Sequence, residues 1–177
     1  MKKCFFYLTT YIILSLPFDI QAIKLTSTSF KNNKTLDKKF AYTECGGQNN
    51  SPELVWNQAP QGTKSFVLIC DDRDVPTPEP WVHWIVYNIP STAYKLAQGE
   101  SFKDIPALQG KNSWGNQKYD GPCPPKGSGT HHYHFTIYAL DIKKLDTKDA
   151  PDKNQIIQSI KDHILEQKEL IGLYQNS

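Results

Sequence analysis

Four short segments of the chain are rich in β-branched and aromatic residues, and each is bounded by glycine, proline or asparagine. They read ELVWNQ (53–58), KSFVLICD (64–71), WVHWIVYNI (81–89) and HYHFTIYAL (132–140). Apolar segments of this length and composition, set between turn-forming residues, are typical of β-strands. The sequence therefore predicts a mostly β protein.

A different pattern follows near the C-terminus, in DKNQIIQSIKDHILEQKEL (152–170). Five apolar residues recur there at helical spacing: Ile156, Ile157, Ile160, Ile164 and Leu165. The spacing predicts one amphipathic helix that packs on the sheets, with Asp152 as its N-cap. The last segment, ELIGLYQ (169–175), fits a final strand.

Residues 99–130 form the longest segment without a strand or helix pattern. A loop of this length is uncommon in a compact domain unless it has a function. Its aromatic residues Trp114 and Tyr119 have two explanations that stay open: contact with a protein partner, or packing at the rim of a pocket. The sequence contains no internal repeat, low-complexity tract or second-domain linker, so one domain is expected.

The N-terminus reads MKKCFFYLTTYIILSLPFDIQA (1–22), with two lysines, an apolar run from Cys4 to Leu16, and a small residue, Ala22. This order is typical of a cleavable export signal. The apolar run is too short to span a bilayer comfortably. We therefore predict a signal peptide over 1–22 and one domain over 23–177, located in the periplasm or secreted.

Composition narrows the class of protein further. Hydrophobic residues make up 38% of the chain and charged residues 21%, which excludes a disordered chain. The 20 Lys and Arg against 18 Asp and Glu leave a net charge of +2, with no long run of one sign. No nucleic-acid-binding surface is indicated.

Export also changes what the cysteines indicate. Cys70 lies inside the apolar segment SFVLICD, where a buried thiol acts as a small hydrophobic side chain. Cys45 in TECGGQ and Cys123 in GPCPPKG both lie in glycine- or proline-rich loops. In an oxidising compartment, we expect these two to form a disulfide that closes a long loop.

The segment GTHHYHF contains three of the five histidines of the chain. Because side chains alternate along a strand, His131 and Tyr133 should point to one face, and His132 and His134 to the other. The three histidines then cannot converge, and no zinc site is expected from this segment alone. A metal site formed across strands by His131, His83 and a carboxylate stays open as an alternative.

The same alternation places His83 on the face of Ile85 and Tyr87, where a histidine is more often structural than functional. In CDDRDVPTPEPW, three aspartates follow directly on an apolar strand. Turn formation explains this composition. A second explanation is that polar residues at the ends of three strands form a site on a rigid scaffold.

Several of these segments, taken in order, resemble the phosphatidylethanolamine-binding protein (PEBP) family, and specifically its exported bacterial branch, which is similar to the Raf kinase inhibitor proteins. They are DDRDVP, WVHW with VYNIP, and YDGPCPPKGSGTHHYHFTIYALD. NNSPELVW and GTKSF precede them and HILEQKELIGLYQ follows, so the resemblance covers most of residues 23–177. It implies a Greek-key β-sandwich with a C-terminal helix and a small anion-accepting pocket at one end.

The resemblance also implies a set of ligand-binding residues: Asp72, His83, Tyr119, Gly121, Pro124, His131 and Tyr133. Asp74, Pro76 and Pro80 are the matching structural residues, with a cis peptide expected between Glu79 and Pro80, where proline lowers the cost of that geometry. Imidazoles, a phenol and loop amides near Gly121 would supply hydrogen-bond donors to an anion. This predicts an affinity for anions that falls as the pH rises.

Two positions depart from the family pattern. His132 stands where the family usually has Arg, and Arg73 stands where it usually has Pro. The second departure removes a stiff residue from the aspartate loop.

The resemblance implies a binding protein for a phospholipid headgroup or a phosphorylated ligand, without cofactor or metal, that acts as an inhibitor or modulator of a protein partner. The alternative is a hydrolase that uses the Asp and His residues for acid/base chemistry on a phosphoester. Ser113 and Ser128 lie in the long loop, but a serine is a poor nucleophile without an adjacent base. We therefore assign no catalytic residue from the sequence.

Overall fold

The structure is a computed structural model that describes residues 22–176. The predicted signal peptide lies outside the described residues, apart from Ala22. Within the described range, no helix is long and apolar enough to cross a membrane.

The described chain forms nine strands and one α-helix. In chain order they are β1 (Lys24–Thr26), β2 (Lys34–Thr35), β3 (Leu54–Asn57), β4 (Ser65–Asp72), β5 (Trp81–Pro90), β6 (Lys95–Leu96), β7 (Leu108–Gln109), β8 (His131–Leu140), α1 (Lys153–Ile160) and β9 (Ile164–Tyr174). Two short 3-10 turns, Lys38–Phe40 and Thr43–Cys45, lie between β2 and β3.

The strands form two sheets. The larger has the order β2-β9-β8-β4-β5-β7 and the smaller β1-β3-β6. Every pair is antiparallel except β2 with β9. The four segments predicted as strands correspond to β3, β4, β5 and β8, so the prediction of a mostly β fold is confirmed.

The central strand β4 of the larger sheet is buried on both faces. On β4, Phe66 and Leu68 face the core between the two sheets, and Val67 and Ile69 face the core under α1. Every residue of β4 is buried for this reason. Burying an aliphatic or aromatic side chain stabilises the fold by about 1.5 to 3 kcal/mol, so this strand anchors both layers.

The helix begins as predicted but ends early. Asp152 and Gln155 form a reciprocal capping box, in which each side chain accepts from the backbone amide of the other at 2.9 Å. The prediction that Ile164 and Leu165 extend the helix is wrong, because α1 ends at Ile160 and Ile164 begins β9. Antiparallel pairing along the whole of β8 overrides the helical spacing.

The predicted disulfide is present. Cys45 and Cys123 are bonded with their Cα atoms 5.6 Å apart, and they close a loop of 78 residues. Cys70 is free and buried, as expected. A bridge over a loop of this length stabilises the fold by about 4 kcal/mol in the chain-entropy view, and here it ties a 3-10 turn to the proline-rich loop.

The predicted cis peptide before Pro80 is wrong, since residues 22–176 contain no cis peptide. Proline only reduces the cost of the cis form, and the trans form stays favoured by about 0.5 to 1 kcal/mol. The Thr77 hydroxyl donates to the Glu79 carbonyl oxygen at 2.8 Å, which shapes this turn in the trans form.

Candidate functional site

A cavity of about 220 Å³ opens at one end of the larger sheet. Asp72 ends β4, Trp81 begins β5 and His131 begins β8, so three distant segments meet at this edge. Its lining consists of Asp72, Val75, Trp81, His83, Trp114, Cys123, Pro124, Pro125, His131 and Tyr133. The polar residues at strand ends therefore do lie close together.

A buried hydrogen-bonded pair forms one wall of the cavity. His131 Nδ1 lies 2.6 Å from Asp72 Oδ2, and the two side chains are only 5% and 4% exposed. Asp72 pairs with Tyr133 across the strands, so His131 on the same face is its diagonal neighbour. The Asp74 amide donates to Asp72 Oδ1 at 2.9 Å.

Tyr133 completes this wall. Its hydroxyl forms a hydrogen bond with Asp72. Burial, together with the nearby carboxylate of Asp72, raises the pKa of Tyr133 well above its usual value. The phenol therefore stays protonated and acts as a donor.

A β-bulge turns His83 into the cavity. Cys70 lies opposite Trp84, but the next residue of β4, Asp71, lies opposite Val82. His83 is the extra residue on β5, and a bulge of this kind re-aims a side chain.

The prediction that His83 shares the face of Ile85 and Tyr87 is therefore wrong. Those two residues belong to the core under α1. The ring of His83 instead lies edge-to-face with that of Tyr133, with centroids 5.0 Å apart, and lines the cavity. Strict alternation fails because it assumes a regular ladder.

The backbone of Asp120 fixes the orientation of His83. His83 Nδ1 lies 2.6 Å from the Asp120 carbonyl oxygen, and the Asp120 amide donates to the His83 carbonyl at 3.1 Å. A carbonyl oxygen only accepts, so Nδ1 carries the proton and Nε2 is left for a ligand. Burial lowers the pKa of His83, although the Asp120 carbonyl and the Asp72 charge oppose this, and the ring is held neutral near pH 7.

Sequence reasoning missed Asp120. Its buried carboxylate accepts from the side-chain amides of Asn49 (3.0 Å), Asn112 (2.8 Å) and Asn116 (2.8 Å), and Lys118 Nζ lies 3.4 Å away. Burial opposes ionisation, but the amides and the lysine more than offset it and lower the pKa of Asp120. This network holds the loop that positions His83.

Tyr119 and Gly121, two of the expected ligand-binding residues, flank Asp120 and are not among the residues that line the cavity. The Tyr119 hydroxyl donates to the Phe40 carbonyl at 2.9 Å, and the Gly121 amide donates to Asn49 Oδ1 at 2.7 Å. That amide is thus not available to a ligand. A Cβ on Gly121 would lie 2.0 Å from the Phe40 oxygen, so glycine is required there.

Trp114 forms the outer wall of the cavity. Its ring lies edge-to-face with those of Trp81 (5.3 Å between centroids) and His83 (5.2 Å), and it stacks on Tyr42 at 6.0 Å. It remains 42% exposed. The pocket-rim explanation fits Trp114, while packing accounts for Tyr119.

The expected prolines divide between wall and surface. Pro124 and Pro125 line the cavity beside the disulfide-bonded Cys123. Pro76 is exposed and Pro80 is half-buried. The latter two shape the aspartate loop without reaching the cavity.

The remaining histidines of β8 point away from the cavity, as alternation predicts. His132 Nδ1 lies 2.9 Å from Asp74 Oδ2, and His134 Nδ1 lies 3.0 Å from Glu169 Oε2. The three neighbouring histidines do not converge. In the described part of the chain, no group of three or more His, Cys, Asp or Glu side chains is placed to hold a metal ion.

The segments that form this cavity fall within a single family match. The chain matches the phosphatidylethanolamine-binding protein family over residues 26–175. This chain belongs to that family. The match spans every element from β2 to β9, including both sheets and α1.

Relatives of this PEBP family member occur in several bacteria. The UPF0098 protein of Aquifex aeolicus is 40% identical over 156 residues, which cover 86% of this chain and 88% of that protein. The crystal structure of Escherichia coli YbcL, described as a new member of the mammalian PEBP family, superimposes with a TM-score of 0.83 at 31% identity, covering 89% of this chain and 100% of YbcL. A putative PEBP homologue from Chlamydia trachomatis gives 0.78 at 38% identity, covering 88% and 99%.

Arg73 holds the aspartate loop by charge. It contacts Asp71 at 3.1 Å and Glu169 of β9 at 2.7 Å, and Lys153 of α1 contacts the same Asp71 at 2.5 Å. These contacts tie the loop to the neighbouring strand and helix. They restrain the loop through side-chain contacts.

Proposed function

We propose that this protein binds a small phosphate-bearing ligand, either a phospholipid headgroup or a soluble phosphorylated molecule, in the cavity between Asp72 and His83. One observation carries the proposal: the inner hydrogen bonds of both cavity histidines use Nδ1. His83 Nδ1 faces the Asp120 carbonyl and His131 Nδ1 faces the Asp72 carboxylate. That leaves His83 Nε2 to serve a ligand, while His131 Nε2 contacts Ser128 Oγ at 2.9 Å.

The charge of the cavity makes binding depend on pH. Among the described residues that line it, none is a lysine or arginine. The positive charge that attracts an anion must then come from imidazolium groups, since Asp72 is acidic and Tyr133 is neutral. An anion that enters is thus bound together with a proton, and its affinity falls by up to about tenfold per pH unit for each proton taken up.

His83 is the group expected to take up this proton. Burial lowers the pKa of His83 in the empty cavity, so the ring has no proton on Nε2 near neutral pH. A phosphate oxygen beside Nε2 stabilises the protonated form and raises that pKa. Asp72 and Asp120 favour the same change.

The size of the cavity limits the ligand. A volume of about 220 Å³ lies below the roughly 300 to 1,000 Å³ typical of pockets for drug-sized molecules. A phosphorylated headgroup fits such a space, whereas acyl chains would remain outside. Trp81 and Trp114 stand at the mouth, where aromatic faces attract a cationic amine.

Calorimetric titration with O-phosphorylethanolamine, at about pH 5.5 and about pH 7.5, tests the proposal. We expect binding that weakens at the higher pH and is lost in His83→Ala. His163→Ala is the matched control, because His163 pairs with Asp141 outside the cavity at 2.8 Å. A wild-type protein that binds no phosphate compound, or a His83→Ala variant that binds as well as wild type, would refute it.

The source of the phosphate group is a separate arm of the same experiment. Vesicles that contain phosphatidylethanolamine should retain the protein in a flotation assay if the ligand is a lipid headgroup. Retention equal to that on vesicles of phosphatidylcholine alone would favour a soluble phosphorylated ligand.

We propose in addition that the protein is exported to the periplasm or secreted. The Cys45–Cys123 disulfide supports this, because such bonds persist in oxidising compartments. Cell fractionation followed by thiol alkylation should find the bridged form outside the cytoplasm. A reduced, cytoplasmic protein would contradict the proposal.

We propose that a protein partner binds the rim of the cavity around Trp114. The side chain of Trp114 is large, aromatic and 42% exposed. Aromatic side chains of this kind are enriched in protein interfaces. Photocrosslinking from position 114 should capture a specific protein in the compartment of the native protein. Equal capture of the same protein from position 94, at the more exposed Tyr94 (61%), would count against the proposal.

A further inference from the structure

Ser128 stands at the end of a hydrogen-bonded series that begins at Asp72. Its hydroxyl oxygen lies 2.9 Å from His131 Nε2, and His131 Nδ1 lies 2.6 Å from Asp72 Oδ2. No base adjacent to Ser128 is evident from the sequence, but the fold places His131 beside it. We propose that Ser128 is an activated nucleophile that becomes acylated by small activated esters at the mouth of the cavity.

The protonation states fit this role. The carboxylate of Asp72 only accepts, so His131 carries its proton on Nδ1 when neutral, and Nε2 has a free lone pair toward the serine. The Asp74 amide and the Tyr133 hydroxyl hold Asp72 in place. Each member thus has the orientation required of a nucleophile, a base and a group that orients the base.

Access also fits. Ser128 is exposed, whereas His131 is buried and lines the cavity. Gly127 and Gly129 flank the serine with φ angles of +82° and +92°, and a Cβ at either would meet no atom within 4 Å. An ester carbonyl can therefore approach Ser128 from the open side, with its acyl group directed toward the cavity.

The reaction conserves atoms and protons. The Ser128 oxygen adds to the ester carbonyl carbon while its proton passes to His131 Nε2. The bond from that carbon to the leaving oxygen then breaks, and the leaving oxygen takes the proton from Nε2. The products are an acyl-Ser128 ester and a free alcohol, and water reverses the same steps to release the acid.

The amide of Ser128 is already engaged, which should slow both acylation and deacylation. In many serine enzymes the amide of the nucleophile itself stabilises the oxyanion. Here the Ser128 amide donates to the Pro125 carbonyl at 3.1 Å, and the Ser128 hydroxyl donates to the same carbonyl at 2.8 Å whenever its proton is not directed at His131 Nε2. Loss of one oxyanion donor costs about 10²- to 10³-fold in rate in each half of the reaction. Only an ester with a good leaving group should then acylate Ser128, and the less activated acyl-serine ester should accumulate.

A fluorophosphonate probe and p-nitrophenyl acetate test this on the intact, folded protein. Peptide mapping by mass spectrometry should place the label on Ser128, in excess over Ser113, whose hydroxyl oxygen accepts from the Val82 amide. His131→Gln should slow the labelling of Ser128 by at least about 100-fold, the contribution of a general base. Asp72→Asn should also slow it, and His163→Ala should not.

Two results would overturn the proposal. One is wild-type protein with no more label on Ser128 than on Ser113, a result that needs no variant to fold. The other is labelling of Ser128 at the wild-type rate in a folded His131→Gln protein. Because phosphate binding is measured separately, either result with intact binding would remove the nucleophile and leave the proposed binding function standing.

Discussion

Two histidine and aspartate pairs lie next to each other in this protein, and they have opposite surroundings. His131 pairs with Asp72 at 2.6 Å with both side chains about 95% buried, while His132 pairs with Asp74 at 2.9 Å with side chains 45% and 41% exposed. The residue types and nearly the distances are the same. The difference follows from strand alternation alone, because successive residues of β8 face opposite sides.

The comparison shows that burial, rather than residue type, makes the candidate site. In the outer pair, water screens the charges and a ligand has no walls to contact. In the inner pair, Tyr133 and the Asp74 amide hold the carboxylate, and a second histidine, His83, shares the cavity. Three consequences can be measured: the stability lost with His131, the stability lost with the amides under His83, and the dependence of stability on pH.

The largest expected effect is on stability. His131→Ala leaves the Asp72 carboxylate buried without its partner, and we expect a loss of about 3 to 5 kcal/mol in the free energy of unfolding. His132→Ala should cost no more than about 1 kcal/mol, because its pair is exposed. Urea denaturation at neutral pH measures both, and equal losses would show that burial does not separate the two pairs.

A smaller loss of stability is expected when the side-chain amides that hold the loop under His83 are removed. Asn116→Ala removes one donor to the buried Asp120 carboxylate, and we expect a loss of about 1 to 3 kcal/mol. Asn154→Ala, at an exposed position of α1, is the control and should stay within about 0.5 kcal/mol. No difference between the two variants would mean that the amide network does not hold the loop under His83.

The smallest effect is the dependence of stability on pH. Burial lowers the pKa of His83 in the folded chain, so below about pH 6.5 the unfolded chain binds a proton that the folded chain resists. Stability should therefore fall as the pH decreases from about 7.5 to about 5.5, and His83→Gln should reduce this fall. His132→Gln is the control. If stability falls as much in His83→Gln as in His132→Gln, the lowered pKa of His83 is not the cause.

Much of the fold follows from local sequence, and the parts that do not have identifiable causes. The strands are encoded by β-branched and aromatic runs, and the helix start by Asp152 three residues before Gln155. The end of the helix is not encoded locally, because Ile164 and Leu165 fit either a helix or a strand. The pairing of β9 with β8 decides between the two.

The candidate site was predictable in part for the same reason. Asp72 and His131 end and begin neighbouring strands, so their meeting follows from the sheet. The turn of His83 into the cavity depends on a bulge opposite Cys70, which no local pattern marks. Asp120 was missed because it acts through its backbone carbonyl on His83, 37 residues away in sequence, and no side-chain pattern marks such a contact.

The most direct test of the central claim observes the histidine side chains themselves. NMR of imidazole-¹⁵N-labelled protein should show the Nε2 resonance of His83 moving toward the protonated form when O-phosphorylethanolamine is added near neutral pH. The resonances of His132, His134 and His163 should stay in place. Shifts confined to those three outer histidines, with none at His83 or His131, would contradict the claim that the buried cavity binds the phosphate group.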